Sequence, residues 1–495
     1  MTQGWGARLL PVALGAMAAL GQAPFNLPVV MIAGLAAVIY LSRSKATPRA
    51  MALLGFSFGF GYFAVALHWI ISPFLVDAAR HGWMAPFAVV LMAAGGALFW
   101  AVAFWSVRRL SDRGWMIVPC WAGVELLRAY IFTGFPWAAP AQSMVDGLLG
   151  QTLAWIGPHG LNFVIILMAT AVATARGWPL RIALLALAAL AIKLPPMTDP
   201  APLSDTVLRL IQPNAPQADK WNPDKIETFY TRQLTFTAAP SDPVLGAPDA
   251  VIWSETAIPW ALNRSGVILE EIAAAAGGIP VILGAQRSQE GRYYNALAVL
   301  GRQGQVTQTY DKHHLVPFGE YVPLGDFAAR FGFYGMAPQH GAGFSAGEGA
   351  ALLDLGPLGR ALPLICYEAV FAQDVNAAPA RADFIIHATN DAWFGKNAGP
   401  QQHLAQARMR AIEQGLPVAR AANTGISAMI DPAGRVLQQL ALNHAGYIDA
   451  ALPVPRAPTL YSRTGDAPIA VVLTMLLACA AFQAARKRRS IGKSD

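Results

Sequence analysis

A chain of 495 residues exceeds one ordinary core, and 55% hydrophobic against 13% charged residues is too apolar for a wholly soluble protein. Its net charge of +7 would suit a nucleic-acid binder, yet residues 205–455 hold 17 basic and 22 acidic residues, a net of −5, which leaves +12 in the apolar flanks. That split excludes a nucleic-acid footprint and assigns the basicity to membrane topology.

In chain order, seven apolar stretches occupy the first 195 residues, near 8–23, 27–42, 51–72, 84–107, 114–132, 160–175 and 179–195, and an eighth follows at 467–485. Several are shorter than the roughly 20 residues that cross a bilayer upright. Arg43, Lys45 and Arg49 follow the second stretch, Arg108, Arg109 and Arg113 the fourth, Arg176 and Arg181 flank the turn between sixth and seventh, and Arg486, Arg488, Arg489 and Lys493 follow the eighth. The alternate loops hold only Arg80, so both termini are expected in the cytoplasm and the central domain on the opposite, periplasmic side. The opening GWGARLLPVALGAMAALG has the arginine, apolar run and small residues of a cleavable signal, but further spans follow directly, which favours a retained helix.

The expected organisation is a transmembrane helical region over 1–195, an α/β domain over 205–455 and a C-terminal transmembrane helix over 466–486. PPMTDPAP (195–202) and PVPRAPTLYSRTG (453–465) read as linkers. In the middle domain TVLRLIQPN, AVIWSE, IPVILGAQ, YNALAVL, ALPLICYE, ADFIIHATN and PVARAANTG read as strands, several continuous enough to be buried on both faces. GVILEEIAAAAGG and QQHLAQARMRAIEQG read as helices, the second opened by Pro400 and closed by Gly415. Such alternation predicts layers of helix over sheet.

Functional groups in open α/β sheets collect past the carboxyl ends of strands. Glu255 ends AVIWSE, Cys366 ends ALPLIC, and Lys312 follows the strand-like QVTQTYD. Singly each has a plain reading, as a solvated carboxylate, a packed thiol or a surface charge. Together they are a base, a nucleophile and a cation, the minimum for acyl transfer through a covalent intermediate. A thiol of ordinary pKa near 8.5 needs a base, the part of Glu255; a fixed cation in a dry site stabilises an oxyanion, the part of Lys312, with the backbone N–H after Cys366. Cys120 and Cys479 lie in apolar stretches and read as small apolar residues.

The order WSE, then DK, then ICYE resembles the nitrilase superfamily. HLVPFGEYVP, NDAWFG, GVELLRAYIFTGFPW and YSRTGD narrow the resemblance, over almost the whole chain, to its membrane-bound bacterial members, the apolipoprotein N-acyltransferases. Ser254 stands where that family commonly has proline, and His313 where asparagine is common. The resemblance implies an αββα catalytic sandwich on about eight transmembrane helices in the bacterial inner membrane. It further implies supporting carboxylates at Glu320 and Glu368, a substrate pocket shaped by Trp221 and Tyr367, no cofactor and a monomer. The implied reaction moves an acyl chain from a phospholipid such as phosphatidylethanolamine to the N-terminal diacylglyceryl-cysteine of an apolipoprotein. A membrane-bound amidase or lipid hydrolase, and a non-catalytic lipid-binding scaffold, are the competing readings.

His313 and His314 are adjacent and lack the i, i+4 spacing of a helical metal pair, so no metal is expected. His387 and His403 read as structural. Glu125 and Arg128 sit i, i+3 at membrane depth, as an ion pair or a headgroup site. The uncharged loop 133–160, with Phe135, Pro136, Trp137 and Trp155, is expected at the outer interface.

Overall fold

The computed structural model describes residues 5–111, 113–195, 199–322 and 343–491. Pro323, residues 196–198 of the first linker and Lys493 lie outside them. Each apolar stretch carries a helix: α1 Trp5–Ala19, α2 Pro28–Ser42, α3 Pro48–Ala66, α4 Ala85–Leu110, α5 Ile117–Tyr130, α6 Leu153–Thr174, α7 Trp178–Lys193, and a C-terminal helix Ala467–Ile491. Among the described residues five helical segments are long and apolar enough to cross a bilayer: Pro48–Ala66, Ala78–Leu110, Gly114–Thr133, Leu153–Thr174 and Ala467–Arg486.

Two of these depart from the hydropathy reading. The third stretch breaks at Leu67, whose backbone leaves the helical region, and continues as a 3-10 turn, His68–Ile70, and a short helix, Ile71–Leu75. The sixth starts earlier than its apolar run and kinks at Gly157, φ +63, ahead of Pro158. A β-carbon at Gly157 would lie 2.0 Å from the Tyr461 ring, so both the conformation and the approach require glycine.

Met1–Thr198, Asn397–Ala405 and Thr459–Asp495 form one compact unit, and Asp199–Lys396 with Gln406–Pro458 the other. Inside the helical unit Phe58, Tyr62, Phe63, Phe104, Trp100 and Trp121 are fully buried, while Leu53, Leu91, Leu187 and Met475 are exposed, the pattern of a bundle with an apolar outer face. Glu125 and Arg128 form a buried ion pair at 2.7 Å, with Trp100 Nε1 donating to Glu125 Oε1 at 2.7 Å. Arg128 also donates to the carbonyls of Phe135 and, at 2.9 Å, Trp137. The pair therefore ties down the following loop. Breaking one side would strand the other charge at a cost of about 3–5 kcal/mol.

That loop corrects the interfacial expectation. Residues Pro136–Val145 are buried, because Gln142 binds Pro136 O and Ala138 N and because Trp137 Nε1 donates to Gln402 Oε1 at 2.7 Å. Of the two tryptophans expected at the surface only Trp155 is exposed. The second presumed linker is also partly built: residues to Pro453 belong to a strand, and Leu460–Thr464 is a short helix whose Tyr461 hydroxyl donates to Asp466 at 2.9 Å.

Among its described residues the second unit has twelve strands: β1 Leu203–Gln212, β2 Ala250–Ile252, β3 Val281–Gln289, β4 Arg292–Leu300, β5 Val306–Asp311, β6 Leu353–Asp354, β7 Arg360–Ile365, β8 Phe384–Thr389, β9 Val418–Ala422, β10 Ala428–Ile430, β11 Val436–Gln439 and β12 Gly446–Pro453. They form two six-stranded sheets, ordered β12-β1-β2-β3-β4-β5 and β11-β10-β9-β8-β7-β6. The central strands β1, β2, β3 and β7, β8, β9 run parallel, which explains their continuous apolar sequences; β4, β5, β10 and β12 pair antiparallel at the flanks.

Helices α8 Pro223–Thr237 and α9 Gly266–Ala275 cover the first sheet, where Tyr230, Leu269 and Ile272 pack on Val251, Trp253 and Leu283. α8, absent from the sequence reading, announces itself by Asn222-Pro223: the asparagine accepts from Asp224 N at 3.0 Å and proline occupies the first turn. Against the second sheet lies α10 Gly399–Gln414, held by Arg408 on Gly434 O and Arg410 on Val370 O; Gly415 follows it at φ +65.

Candidate active site

The base, cation and nucleophile candidates each leave a strand end. Past β2, Trp253 and Ser254 lead to Glu255; past β5 comes Lys312; past β7, Cys366 opens a 3-10 turn, Cys366–Val370, with φ +51. A non-glycine residue there carries about 1–2 kcal/mol of strain, held in place by what surrounds it. His387 on β8 supplies part of that hold. Its Nε2 donates to Cys366 O at 3.1 Å, since its Nδ1 accepts from Arg420 Nη1 at 2.8 Å and an arginine only donates. Arg420 is anchored in turn by Asp391 at 2.5 Å, and Asp391 by Thr389 Oγ1 at 2.9 Å.

Glu255 is buried and fully engaged. Its Oε1 accepts from Asn295 Nδ2 at 2.7 Å and lies 3.8 Å from Lys312 Nζ; its Oε2 accepts from Asn390 N at 2.7 Å. Lys312 Nζ pairs more closely with Glu320 Oε2, at 2.8 Å, while Glu320 also accepts from Val316 N at 2.8 Å and Asn295 Nδ2 at 3.1 Å. Glu320 thus shapes the loop that carries the lysine. Burial alone would depress the Lys312 ammonium, but the carboxylates of Glu320 and Glu255 outweigh it and keep the lysine charged.

Burial lifts the Glu255 carboxyl above its ordinary value, with Lys312 opposing. Burial likewise lifts the Cys366 thiol well above its ordinary range, with the Glu255 charge adding and the Lys312 charge opposing. Base, cation and thiol therefore share one dry electrostatic environment. Burial thus disfavours the thiolate and makes the Glu255 carboxylate more basic than an ordinary one.

Glu368, fully buried, clamps the nucleophile's turn to the lysine's loop. Its Oε2 accepts from Ile365 N at 2.7 Å, and its Oε1 from Tyr310 Oη and His313 N, both at 2.8 Å, and from His314 N at 3.3 Å. His313 Nδ1 lies 2.8 Å from the same oxygen, and His314 Nδ1 is 2.6 Å from Asp374. His313 Nε2 also lies 3.8 Å from Asp374, so that carboxylate faces both histidines while Glu368 pairs with His313.

This pair has a pH signature. Burial alone would lower His313, but Glu368 raises it above 6.5; burial alone would raise Glu368, but His313 brings it below 4.5. The pair's stabilisation is complete between those two ordinary values. It is lost as pH rises through the elevated His313 value and as pH falls through the depressed Glu368 value. The difference in Tm between wild type and His313→Asn, followed by scanning calorimetry, is expected to be largest between pH 4.5 and 6.5 and to shrink above it. A difference constant up to alkaline pH would contradict the pairing.

Of the two pocket candidates, Tyr367 is buried edge-on against Phe371 and His314. Trp221 lines a cleft with Lys220, Ser254 and Ala257, its ring 5.0 Å from Lys220 Nζ. Asn295, Asn390 and Lys220 escaped the sequence reading, and His387 was read as structural. Asn390 was visible within NDAWFG, Lys220 sat beside Trp221, and Asn295 was the one polar residue in the buried part of β4.

The seat of Glu255 depends on a close backbone approach. Gly284 N donates to Ser254 O at 3.2 Å and Ala257 N to Gly284 O at 2.7 Å, and a β-carbon on Gly284 would lie 2.5–2.6 Å from Ser254 O, Thr256 N and Glu255 Cα. Gly284→Ala is expected to displace the carboxylate and cut acyl-enzyme formation about 100-fold, since a displacement of roughly 1 Å costs that much. Near-wild-type rates in this variant would show that Glu255 need not be held there.

Two six-stranded sheets layered with helices, joined to apolar helices long enough to span a bilayer, define a membrane enzyme of the carbon–nitrogen hydrolase class; residues 236–459 match the carbon-nitrogen hydrolase family. Residues 14–171 match the apolipoprotein N-acyltransferase N-terminal domain. The chain is 37% identical to the apolipoprotein N-acyltransferase of Rhodopseudomonas palustris over 507 residues, 96% of this chain and 94% of that one. It is also 37% identical to the one of Bradyrhizobium diazoefficiens over 525 residues, 99% of this chain and 97% of that one. The chain belongs to the apolipoprotein N-acyltransferase family.

Proposed function

We propose that this protein transfers an acyl chain from a membrane phospholipid to the α-amine of the N-terminal diacylglyceryl-cysteine of an apolipoprotein, through a Cys366 thioester. The observation that carries the mechanism is the burial of Glu255, Lys312 and Cys366 past three strand ends, with Lys312 Nζ 3.8 Å from the Glu255 carboxylate, in a chain of this family. Glu255 takes the thiol proton as sulfur attacks the ester carbonyl carbon. The tetrahedral oxyanion is stabilised by Lys312 Nζ and the backbone N–H of Tyr367. Collapse breaks the acyl–oxygen bond, Glu255 returns the proton to the leaving glycerol oxygen, and a lysophospholipid departs. The acceptor amine then attacks the thioester, giving its proton to Glu255, and the expelled sulfur is reprotonated.

Glu320 and Glu368 position the lysine loop and the nucleophile turn, and Trp221 and Tyr367 bound the acyl pocket. Phosphatidylethanolamine is the proposed donor and the monomer the proposed unit. The proposed layout is a helical region 1–195, a catalytic domain 205–455 and a membrane helix 466–486. The proposed setting is the inner membrane, with cytoplasmic termini and a periplasmic catalytic domain, supported by the placement of basic residues.

Intact mass of the purified protein after incubation with phosphatidylethanolamine tests the reading. A hydroxylamine-sensitive gain of one acyl chain, discharged by a diacylglyceryl peptide, is expected. Discharge by water at the same rate as by the peptide would make the protein a hydrolase, and an adduct that never forms would make it a scaffold.

A further inference from the structure

Lys220 is an unusual residue to find where it lies. Its side chain is 5% exposed, and its Nζ donates to the backbone carbonyl of Glu255 at 3.2 Å. Among the described residues that carbonyl is its one hydrogen-bond partner, and the Trp221 ring at 5.0 Å its other neighbour of note. An ammonium has three donors, and a buried one with a single neutral acceptor is costly unless another charge compensates it. Lys220 lines a cleft together with Ser254, Gln233, Trp221, Phe229 and Tyr230. Ser254 Oγ and Gln233 Oε1 are buried there without a hydrogen-bond partner among the described residues. Three under-satisfied polar groups thus converge on one side of the residue assigned as base.

We propose that Lys220 is a positioning residue for acyl transfer: its ammonium, enclosed with Ser254 and Gln233 behind Glu255, holds that residue's backbone and favours its carboxylate form. The inference rests on Glu255 being the base. The charge that reaches Lys220 is that of Glu255; Tyr230, the other titratable group lining the cleft, turns its hydroxyl to Glu271 Oε2 at 2.8 Å. Glu255 itself faces Lys312, Glu320, Cys366 and Lys220. Burial pushes Lys220 down to about 8, with Glu255 opposing, so the ammonium is charged at neutral pH. Its field on Glu255 opposes the lift that burial imposes, secondary to that of Lys312. Without Lys220 the carboxylate would hold its proton to higher pH.

The test is the single-turnover rate of acyl-enzyme formation against pH, read by intact mass on the full-length protein in mixed micelles of phosphatidylethanolamine. Wild type, Lys220→Met, Lys220→Arg and Glu255→Gln are compared after a size-exclusion check of folding, with Lys220→Gln taking the place of a methionine variant that does not fold. The acid limb is expected to move up by about 0.5–1 pH unit in Lys220→Met and to return in Lys220→Arg. A limb that stays in place while the rate falls equally at every pH would make Lys220 a structural lysine and overturn the proposal. If Glu255→Gln keeps both the wild-type rate and its acid limb, the base assignment fails, and the role of Lys220 falls with it.

Discussion

Cys366→Ala is expected to leave no acyl-enzyme and to lower transfer by about 10⁴-fold or more, because in the proposed mechanism both half-reactions depend on the covalent bond to its sulfur. The loss should come without unfolding. Alanine keeps the β-carbon, and the turn is held from outside the thiol by Glu368 on Ile365 N and by His387 on Cys366 O. Thermal unfolding of the variant should therefore track the wild type while its intact mass stays unchanged in the presence of phospholipid. Phospholipid-dependent transfer surviving in Cys366→Ala would defeat the mechanism, whatever the fold.

Lys312→Met damages both rate and stability, and the two losses are separable. Removing the cation proposed to face the oxyanion should slow acyl-enzyme formation about 10²–10³-fold. It also strips Glu320 of a partner at 2.8 Å and Glu255 of a charge at 3.8 Å, leaving two buried carboxylates that share Asn295. Breaking such an arrangement costs about 3–5 kcal/mol. Adding Glu320→Gln removes one stranded charge and should recover part of the stability in denaturant titrations, but none of the rate. If the double variant regains the rate, Lys312 serves only to neutralise Glu320 and takes no part in the chemistry.

The strand ends were legible because chemistry and periodicity coincide there: AVIWSE and ALPLIC are buried runs broken by one reactive group, and parallel strands put such groups at one edge. Glu320 and Glu368 followed from family resemblance, and the structure supplies what resemblance could not, namely the loops they pin. Lys220, Asn295 and Asn390 were not legible as site residues. Their partner, Glu255, is 35, 40 and 135 residues away along the chain, and nothing local to any of them encodes the meeting. Trp137 misled for a related reason. A tryptophan in an uncharged loop between apolar segments looks interfacial until its indole N–H is seen to reach Gln402, 265 residues on.

The origin of the reactive groups on different sheets bears on how the enzyme comes into being. Glu255 and Lys312 leave strands of the first sheet and Cys366 a strand of the second, and the bridges between them, Asn390 N to Glu255 and Tyr310 Oη to Glu368, cross from one sheet to the other. A nascent chain with only one sheet assembled has a thiol without its base, or a base and cation without a thiol. On the proposed mechanism, reactivity toward esters requires both sheets to be in place, and a half-built molecule among lipids would carry only an ordinary cysteine.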